Sequence, residues 1–286
     1  MKGRFNMKTL FYFMAILTLP IILLASDPNQ PAPQSPVKGA TAVEKINDVN
    51  SIVNKANLAA YYQADDGKGK VSMKITDKKG QIREREFIML KKDIEDGRDQ
   101  NYFVYFLKPA DVRKMVYLVQ KHTDPGKDDD RWLYMPSLDL VKRIAASDKR
   151  TSFVGSDFLY EDVSGRSLLE DTHELIQTTD TQYIVKNIPK NPDFVEFSYY
   201  TVSINCNTYM PMKMEYYDKN GNLYRTIESV KIETIGNFPT VTKSVATDLR
   251  TGSKTEMEFS EIKYNIGLED IFSERYLRRP PMETMR

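Results

Sequence analysis

Two neighbouring segments of the chain, residues 87–90 and 102–107, carry apolar or aromatic side chains at every position. Both segments have the residue types of β-strands, in which successive side chains point to opposite faces of a sheet. Both faces of these strands must therefore be covered. Either a closed two-sheet sandwich or an open barrel plugged by a helix and a ligand meets this requirement.

Three hairpins and several further strand-like segments accompany this pair. The hairpin turns lie at residues 76–80, 218–221 and 250–253, between runs in which apolar and polar residues alternate. One amphipathic helix is predicted over residues 42–62, where apolar residues mostly recur at steps of three and four. About ten antiparallel strands after one helix predict an α+β fold dominated by a single large curved antiparallel sheet. The many methionines favour the open barrel, because Met adapts to irregular apolar cargo.

The amino terminus has the pattern of an export signal. Lys2, Arg4 and Lys8 precede the apolar run Leu10–Leu24. This run is shorter than the 18 to 20 residues that cross a bilayer comfortably, so an uncleaved anchor is the less favoured alternative. We expect a signal peptide over residues 1–25, a Pro-rich linker over 26–41 and a folded domain over 42–286.

Composition excludes several classes of function. Lys and Arg number 41 against 40 Asp and Glu, so the chain lacks the basic excess of nucleic-acid-binding proteins. Cys206 is the only cysteine, and His122 and His173 lie 51 residues apart, so neither an intrachain disulfide nor a histidine metal site is indicated. No cofactor is expected.

The densest motif lies between residues 108 and 163. It reads P-A-D-V at 109–112, W-L-Y-M-P at 132–136, K-R-I at 142–144 and F-V-G-S-D-F-L-Y-E-D at 153–162.

Catalysis by this motif is not indicated. A G-x-S-x-G nucleophile elbow starting at Gly155 would need Ser at 157 and Gly at 159, where Asp157 and Leu159 stand. Glu161 and Asp162 are a poor acid–base pair, because adjacent residues on a strand point apart. Capping and loop hydrogen bonds are the expected role of Asp157 and Asp162, and no enzymatic activity is expected.

The motif resembles the periplasmic outer-membrane lipoprotein-sorting proteins, the LolA-like group, and especially its larger branch. The resemblance extends to the amino-terminal helix, the strand with Arg83 and Arg85, and the closing segment 271–277. It implies a half-open β-barrel of the LolA/LolB type, with helices covering the concave side over a hydrophobic cavity for acyl chains. It also implies a lipoprotein, lipid or hopanoid-like cargo, an inner-membrane transporter of RND or ABC type and an outer-membrane acceptor. A periplasmic interaction module that docks on such partners and carries nothing is the alternative.

The residues expected to line the cavity are apolar or aromatic strand residues. They are Met73, Phe87, Met89, Phe103, Tyr105, Trp132, Tyr134, Met212, Met214 and Met257. Trp132 is equally compatible with an ordinary core position.

The residues expected to form a lid are one strand arginine and members of the segment 148–165, here called the motif loop. They are Arg143, Phe153, Gly155, Ser156, Asp157, Phe158, Tyr160 and Asp162. Phe153 and Phe158 are expected to pack the motif loop over the cavity mouth, with Gly155 providing a turn that a Cβ would hinder. In LolA an arginine holds the lid shut by hydrogen bonding to its backbone, and Arg83, Arg85 and Arg143 are the candidates by strand location.

Overall fold

One antiparallel sheet accounts for about half of residues 45–94, 99–124 and 126–285, which are the residues that the computed structural model describes. The predicted signal peptide and linker, residues 1–41, lie outside the described residues. The described strands are β1 Asp66–Thr76, β2 Ile82–Asp93, β3 Gln100–Lys108, β4 Val116–Lys121, β5 Asp130–Met135, β6 Leu140–Arg143, β7 Asp171–Thr178, β8 Gln182–Pro189, β9 Phe197–Asn205, β10 Pro211–Asp218, β11 Leu223–Ile235, β12 Phe238–Asp248 and β13 Ser253–Tyr264. The described helices are α1 Val49–Tyr61, α2 Tyr160–Ser164 and α3 Met282–Met285, with short 3₁₀ turns at Pro136–Leu138, Ala146–Asp148, Leu168–Glu170, Pro192–Phe194 and Glu274–Tyr276.

The sheet joins two runs of sequential antiparallel strands. Its order is β6-β5-β4-β3-β2-β1-β13-β12-β11-β10-β9-β8-β7. The first and last strands pair with each other, so that Met73 lies opposite Met257, and the sheet ends at β6 and β7 without closing. The predicted fold class is confirmed, and the three predicted hairpins are the pairs β1–β2, β10–β11 and β12–β13.

The amino-terminal helix is shorter than predicted. Residues 45–48 are not helical, and α1 begins at Val49. The Asp48 carboxylate accepts hydrogen bonds from the backbone N–H groups of Asn50 and Ser51, at 3.2 and 3.1 Å. These bonds cap the first turn, so the apolar periodicity upstream of Asp48 does not continue the helix.

Two separate layers cover the apolar strands β2–β5. On the inner face, Tyr102, Val104 and Phe106 pack with the motif loop. On the outer face, Phe103 and Tyr105 pack with the carboxyl-terminal segment, residues 268–285. The barrel is therefore open, as the methionine content suggested. Its outer face is covered by the carboxyl-terminal segment, for which the sequence analysis predicted no such role.

The carboxyl-terminal segment is held in place by apolar burial and by hydrogen bonds to the sheet. Phe272 is buried, and its ring meets that of Phe103 edge-on at 6.4 Å between centroids. The Gln120 side chain donates to the Phe272 carbonyl at 2.9 Å.

No helix within the described residues is both long and apolar enough to span a bilayer.

The substitution Phe272→Ala should destabilise the protein by about 3–5 kcal/mol, because it opens a cavity between the segment and the sheet. Met282→Ala, in the same segment at a side chain that is 47% exposed, should change the free energy of unfolding by less than about 0.5 kcal/mol. Urea unfolding curves of both variants measure the difference. Equal stabilities would contradict a structural role for the segment.

Candidate functional site

A cavity of about 400 Å³ lies between α1 and the inner face of the sheet. Its wall is mainly apolar and comes from α1, from β1 to β3, from β8 to β13, and from the motif loop. Prominent apolar side chains of the wall are Val53, Ala56, Ala60, Met89, Phe158, Val202, Ile204, Met214, Ile227, Met257 and Phe259.

α1 covers this cavity with one face. Val53, Ala56 and Ala60 recur at steps of three and four and all line the cavity. The segment before α1 is anchored by the backbone N–H of Ile46, which donates to the Tyr183 hydroxyl at 3.0 Å. At the other end, the Gln100 side chain donates to the Tyr61 carbonyl at 2.8 Å.

The motif loop fills the inner face next to the cavity. Phe153 is fully buried, and its ring lies 5.5 to 6.2 Å from those of Phe87, Phe106, Tyr117 and Tyr160. Aromatic rings packed at such distances stabilise a fold by more than the burial of their apolar area alone. The predicted lid phenylalanine is thus the centre of a packed core.

Asp157 fastens the middle of the motif loop to β13. Its carboxylate accepts hydrogen bonds from the hydroxyls of Ser253 and Thr255, the latter at 2.7 Å. Its backbone N–H donates to the same Thr255 hydroxyl at 2.9 Å. Asp157 therefore has the loop-bonding role expected from the sequence.

Arg225 on β11 holds the motif loop from the other side. Its buried guanidinium donates to the Asp157 carbonyl at 3.1 Å and forms an ion pair with Asp162. Asp162 in turn accepts from the backbone N–H of Leu159 at 2.6 Å. Sequence reasoning missed Arg225, because it lies 63 residues from Asp162 in a strand with no distinguishing motif.

Among the three arginines proposed as a latch, Arg83 contacts the motif loop. It donates to the Gly155 carbonyl at 3.1 Å, and Gly155 has a φ of +77°. Arg85 instead pairs with Asp111 on the β3–β4 connection. Arg143 was predicted as a lid residue, but it lies on β6 and pairs with Asp130, so its contacts are within the edge of the sheet.

The side chains of Ser156 and Glu161 bond to other parts of the protein and thereby have structural roles. The Ser156 hydroxyl is buried and hydrogen-bonds with the backbone of Phe158. Burial alone would raise the pKa of Glu161, but the adjacent Arg150 and Arg166 outweigh it and lower that pKa. Glu161 is thus an ionised centre of a buried charge cluster.

Lys121 joins the end of α2 to the end of α1. Its ammonium donates to the carbonyls of Ser164 and Gly165, at 2.6 and 3.3 Å, and lies 5.1 Å above the ring of Tyr61. Burial lowers the pKa of Lys121 to about 8.

In the described part of the chain, no cluster of His, Cys, Asp and Glu has the arrangement of a metal site.

The residues predicted for the cavity fall into three groups. Those on its wall are Met89, Met214 and Met257. Phe158 and Asp162, which were predicted for the lid, also lie on this wall. Met73 and Phe87 are also on the inner face, but they are fully buried beneath the motif loop.

Five more of the predicted cavity residues, besides Met73 and Phe87, do not line the cavity. Those on the outer face, packed in the cluster with the carboxyl-terminal segment, are Phe103, Tyr105, Trp132 and Tyr134. They share one strand parity, opposite to that of the inner residues, and both parities are apolar in the sequence. Met212 lies at an irregularity of β10 pairing between Pro211 and Lys213, which breaks its alternation with Met214.

Comparisons with known proteins agree with this architecture. A family model described as "Uncharacterized protein" matches residues 98–279, more than half of the chain. A DUF1329 family protein from Desulfovibrio piger is 26% identical, with a TM-score of 0.71 over 83% of this chain and 99% of that chain. An outer membrane lipoprotein-sorting protein domain from Vibrio parahaemolyticus is 24% identical, with a TM-score of 0.71 over 80% and 97%. A LolA superfamily protein from Nitrosomonas europaea is 20% identical, with a TM-score of 0.62 over 80% and 98%. No match was found among curated proteins.

The unclosed sheet with an apolar cavity beneath its covering helix has the half-barrel fold of the LolA superfamily protein from Nitrosomonas europaea. The chain belongs to the DUF1329 family. The resemblance to the LolA-like group inferred from the motif is confirmed, and the solved structures show it as a likeness of fold.

The contact between α1 and the motif loop can be tested at Gly165. A Cβ there would lie 2.5 Å from Cζ of Tyr61, and φ is +77°. Gly221, with a φ of +81° and no atom near its Cβ position, is the matched control. Gly221→Ala should cost about 1–2 kcal/mol from backbone strain, and Gly165→Ala should cost about 1–3 kcal/mol more from the clash.

Urea unfolding measures the free energy of unfolding of both variants. In a Tyr61→Ala background, Gly165→Ala should lose the additional cost of the clash and retain only the backbone strain. Equal costs at the two glycines would show that Tyr61 does not rest on the motif loop.

Proposed function

We propose that this protein is a periplasmic carrier that binds a lipoprotein acyl chain or another lipid in the cavity and moves it toward the outer membrane. The observation that carries the proposal is the apolar cavity of about 400 Å³ under α1. Its volume and apolar wall are typical of sites for small apolar ligands. The sorting role stated for the similar domain from Vibrio parahaemolyticus supports the same function.

Binding of this kind requires an apolar wall more than it requires reactive groups. Each methylene group of a chain that leaves water contributes about 0.8 kcal/mol. The motif residues with reactive side chains, such as Ser156, Asp157 and Asp162, are engaged in hydrogen bonds and ion pairs that hold the motif loop. The carrier would take its cargo from an inner-membrane transporter of RND or ABC type and pass it to an outer-membrane acceptor.

Release without ATP requires a cover that opens at small cost in free energy. The motif loop is fastened by Arg225, Asp157 and Lys121 through buried bonds. α1 is a single helix, and its contacts with the sheet are concentrated on β7 and β8. We therefore assign the opening movement to α1 rather than to the motif loop, which the sequence analysis had named as the lid.

The cavity can be tested at Met214, which lies on its wall. Met214→Asp should weaken binding of an environment-sensitive lipid probe by roughly tenfold or more, because the carboxylate would lose hydration beside an apolar ligand. Met212→Asp is the matched control on the same strand, since Met212 does not line the cavity. Probe fluorescence titration measures both affinities, with circular dichroism as the check on folding. Unchanged affinity in a folded Met214→Asp protein would argue against binding here.

The opening movement can be tested by amide hydrogen exchange. Peptides from α1 should exchange faster than peptides from the motif loop, because fewer buried bonds must break for α1 to lift. Bound cargo should slow exchange in α1. A motif loop that exchanges as fast as α1 would instead make the loop part of the moving cover.

A further inference from the structure

Three polar side chains of the cavity wall lie near one another. Tyr61 at the end of α1, Tyr216 on β10 and Asp162 in α2 all line the cavity. The ring of Tyr61 rests against Gly165 at the end of the motif loop, and the charge of Asp162 acts on both tyrosine hydroxyls. These three side chains, here called the polar corner, therefore join the cover, the sheet and the motif loop at one place on the wall.

The fold does not use the two tyrosine hydroxyls of the polar corner. Within the described residues, the Tyr61 hydroxyl has no hydrogen-bond partner. Tyr216 is buried, and among the same residues its hydroxyl meets only the Met214 sulfur, a weak acceptor, at 3.9 Å. Tyr200 also lines the cavity, but its hydroxyl donates to the Asp171 carboxylate at 2.8 Å. A buried hydroxyl without a good partner is unfavourable, so a ligand oxygen at the polar corner would be stabilised.

Both hydroxyls are protonated donors near neutral pH. Burial, and after it the charge of Asp162, raises the pKa of Tyr216 to about 12. The same two causes, in the same order, raise the pKa of Tyr61 above its ordinary value.

Asp162 adds an acceptor to these two donors. Its Oδ2 atom accepts from the backbone N–H of Leu159 and from the Arg225 guanidinium. Its Oδ1 atom has no hydrogen bond in the part of the chain that the structure describes. An alcohol hydroxyl fits this set, because it donates one hydrogen bond and accepts two. An ether or ester oxygen only accepts, and an anionic group would be repelled by the carboxylate.

The cations nearest the polar corner are already engaged. Arg166 lines the cavity, but its guanidinium is bonded to the buried Asp171 carboxylate. Arg225 is paired with Asp162 itself. The Lys121 ammonium donates to backbone carbonyls at the end of α2. The polar corner therefore offers better partners to an uncharged hydroxyl than to a carboxylate or a phosphate.

From these observations we propose that the cargo is an apolar molecule with an alcohol hydroxyl, which the polar corner binds while the rest of the molecule lies against the apolar wall. The ligand hydroxyl donates to Oδ1 of Asp162 and accepts from the hydroxyls of Tyr61 and Tyr216. It thereby links α1 to the motif loop and holds the cover closed. The inference rests on the proposed carrier function and narrows the cargo to one chemical class.

The first arm of the test compares two isomers, dodecanol and methoxyundecane, as competitors of an environment-sensitive lipid probe on the full-length protein. The two have the same atoms, but only the alcohol can donate a hydrogen bond. A wall that is apolar throughout should prefer the ether, because a hydroxyl buried without partners is unfavourable. We expect dodecanol to bind roughly tenfold or more tightly than the ether, and dodecanoate to bind more weakly than dodecanol.

The second arm removes the tyrosine hydroxyls but keeps the rings. Tyr61→Phe/Tyr216→Phe should lower the affinity for dodecanol by roughly tenfold. Tyr200→Phe is the matched control and should leave this affinity unchanged, because the Tyr200 hydroxyl is already bonded to Asp171. Circular dichroism checks the folding of each variant. If the double variant does not fold, Tyr216→Phe alone serves, with an expected loss of roughly threefold.

Several results would overturn the hydroxyl inference while leaving the carrier function in place. They are an ether or a dodecanoate that binds the native protein as tightly as dodecanol, a folded Tyr→Phe variant of the polar corner with unchanged affinity for dodecanol, and an equal loss in the Tyr200→Phe control. Failure of all three competitors to displace the probe would overturn both.

Discussion

Burial of both faces of strands β2–β5 is the constraint on which the other features depend. Phe103 on one face and Phe106 on the other are both fully buried, so the sheet requires an apolar layer on each side. The carboxyl-terminal segment supplies the outer layer and the motif loop supplies the inner one. Each layer is a separate segment of chain, which leaves the concave face over β8–β11 to be covered by α1. The cavity lies where that cover is a single helix.

The motif loop combines an aromatic core with a buried charge network, and the two have different consequences. The ring cluster around Phe153 stabilises the loop by burial and by aromatic packing. The ion pairs of Arg225 with Asp162 and of Arg150 with Glu161 compensate the desolvation of charges rather than adding large net stability. Their effect is specificity, because a displaced loop would leave buried charges unpaired. This accounts for the Asp and Glu at the end of the F-V-G-S-D-F-L-Y-E-D string.

In the proposed carrier, the sheet and the motif loop form the wall of the cavity and α1 is the cover that opens. The wall contains four methionines, Met89, Met210, Met214 and Met257, whose unbranched side chains adapt to ligands of different shape. Lys121 and Gly165 lie where the ends of α1 and α2 meet, so α1 would have to break these contacts with the motif loop to open.

The alternation of apolar and polar residues around Val71 and Met214, with turns at residues 76–80 and 218–221, was sufficient to predict the hairpins and the α+β class, because strand and turn preferences are local. The motif was likewise sufficient to indicate the family and the structural role of Asp157. Tertiary structure decided which alternate residues of β3 point to the concave, inner face of the sheet. Phe103 and Val104 are both apolar, and only the segments that cover the two faces distinguish them. The partnership of Arg225 with Asp162 was also decided there, because 63 residues separate them and only the folding of β11 against the motif loop brings the two charges together.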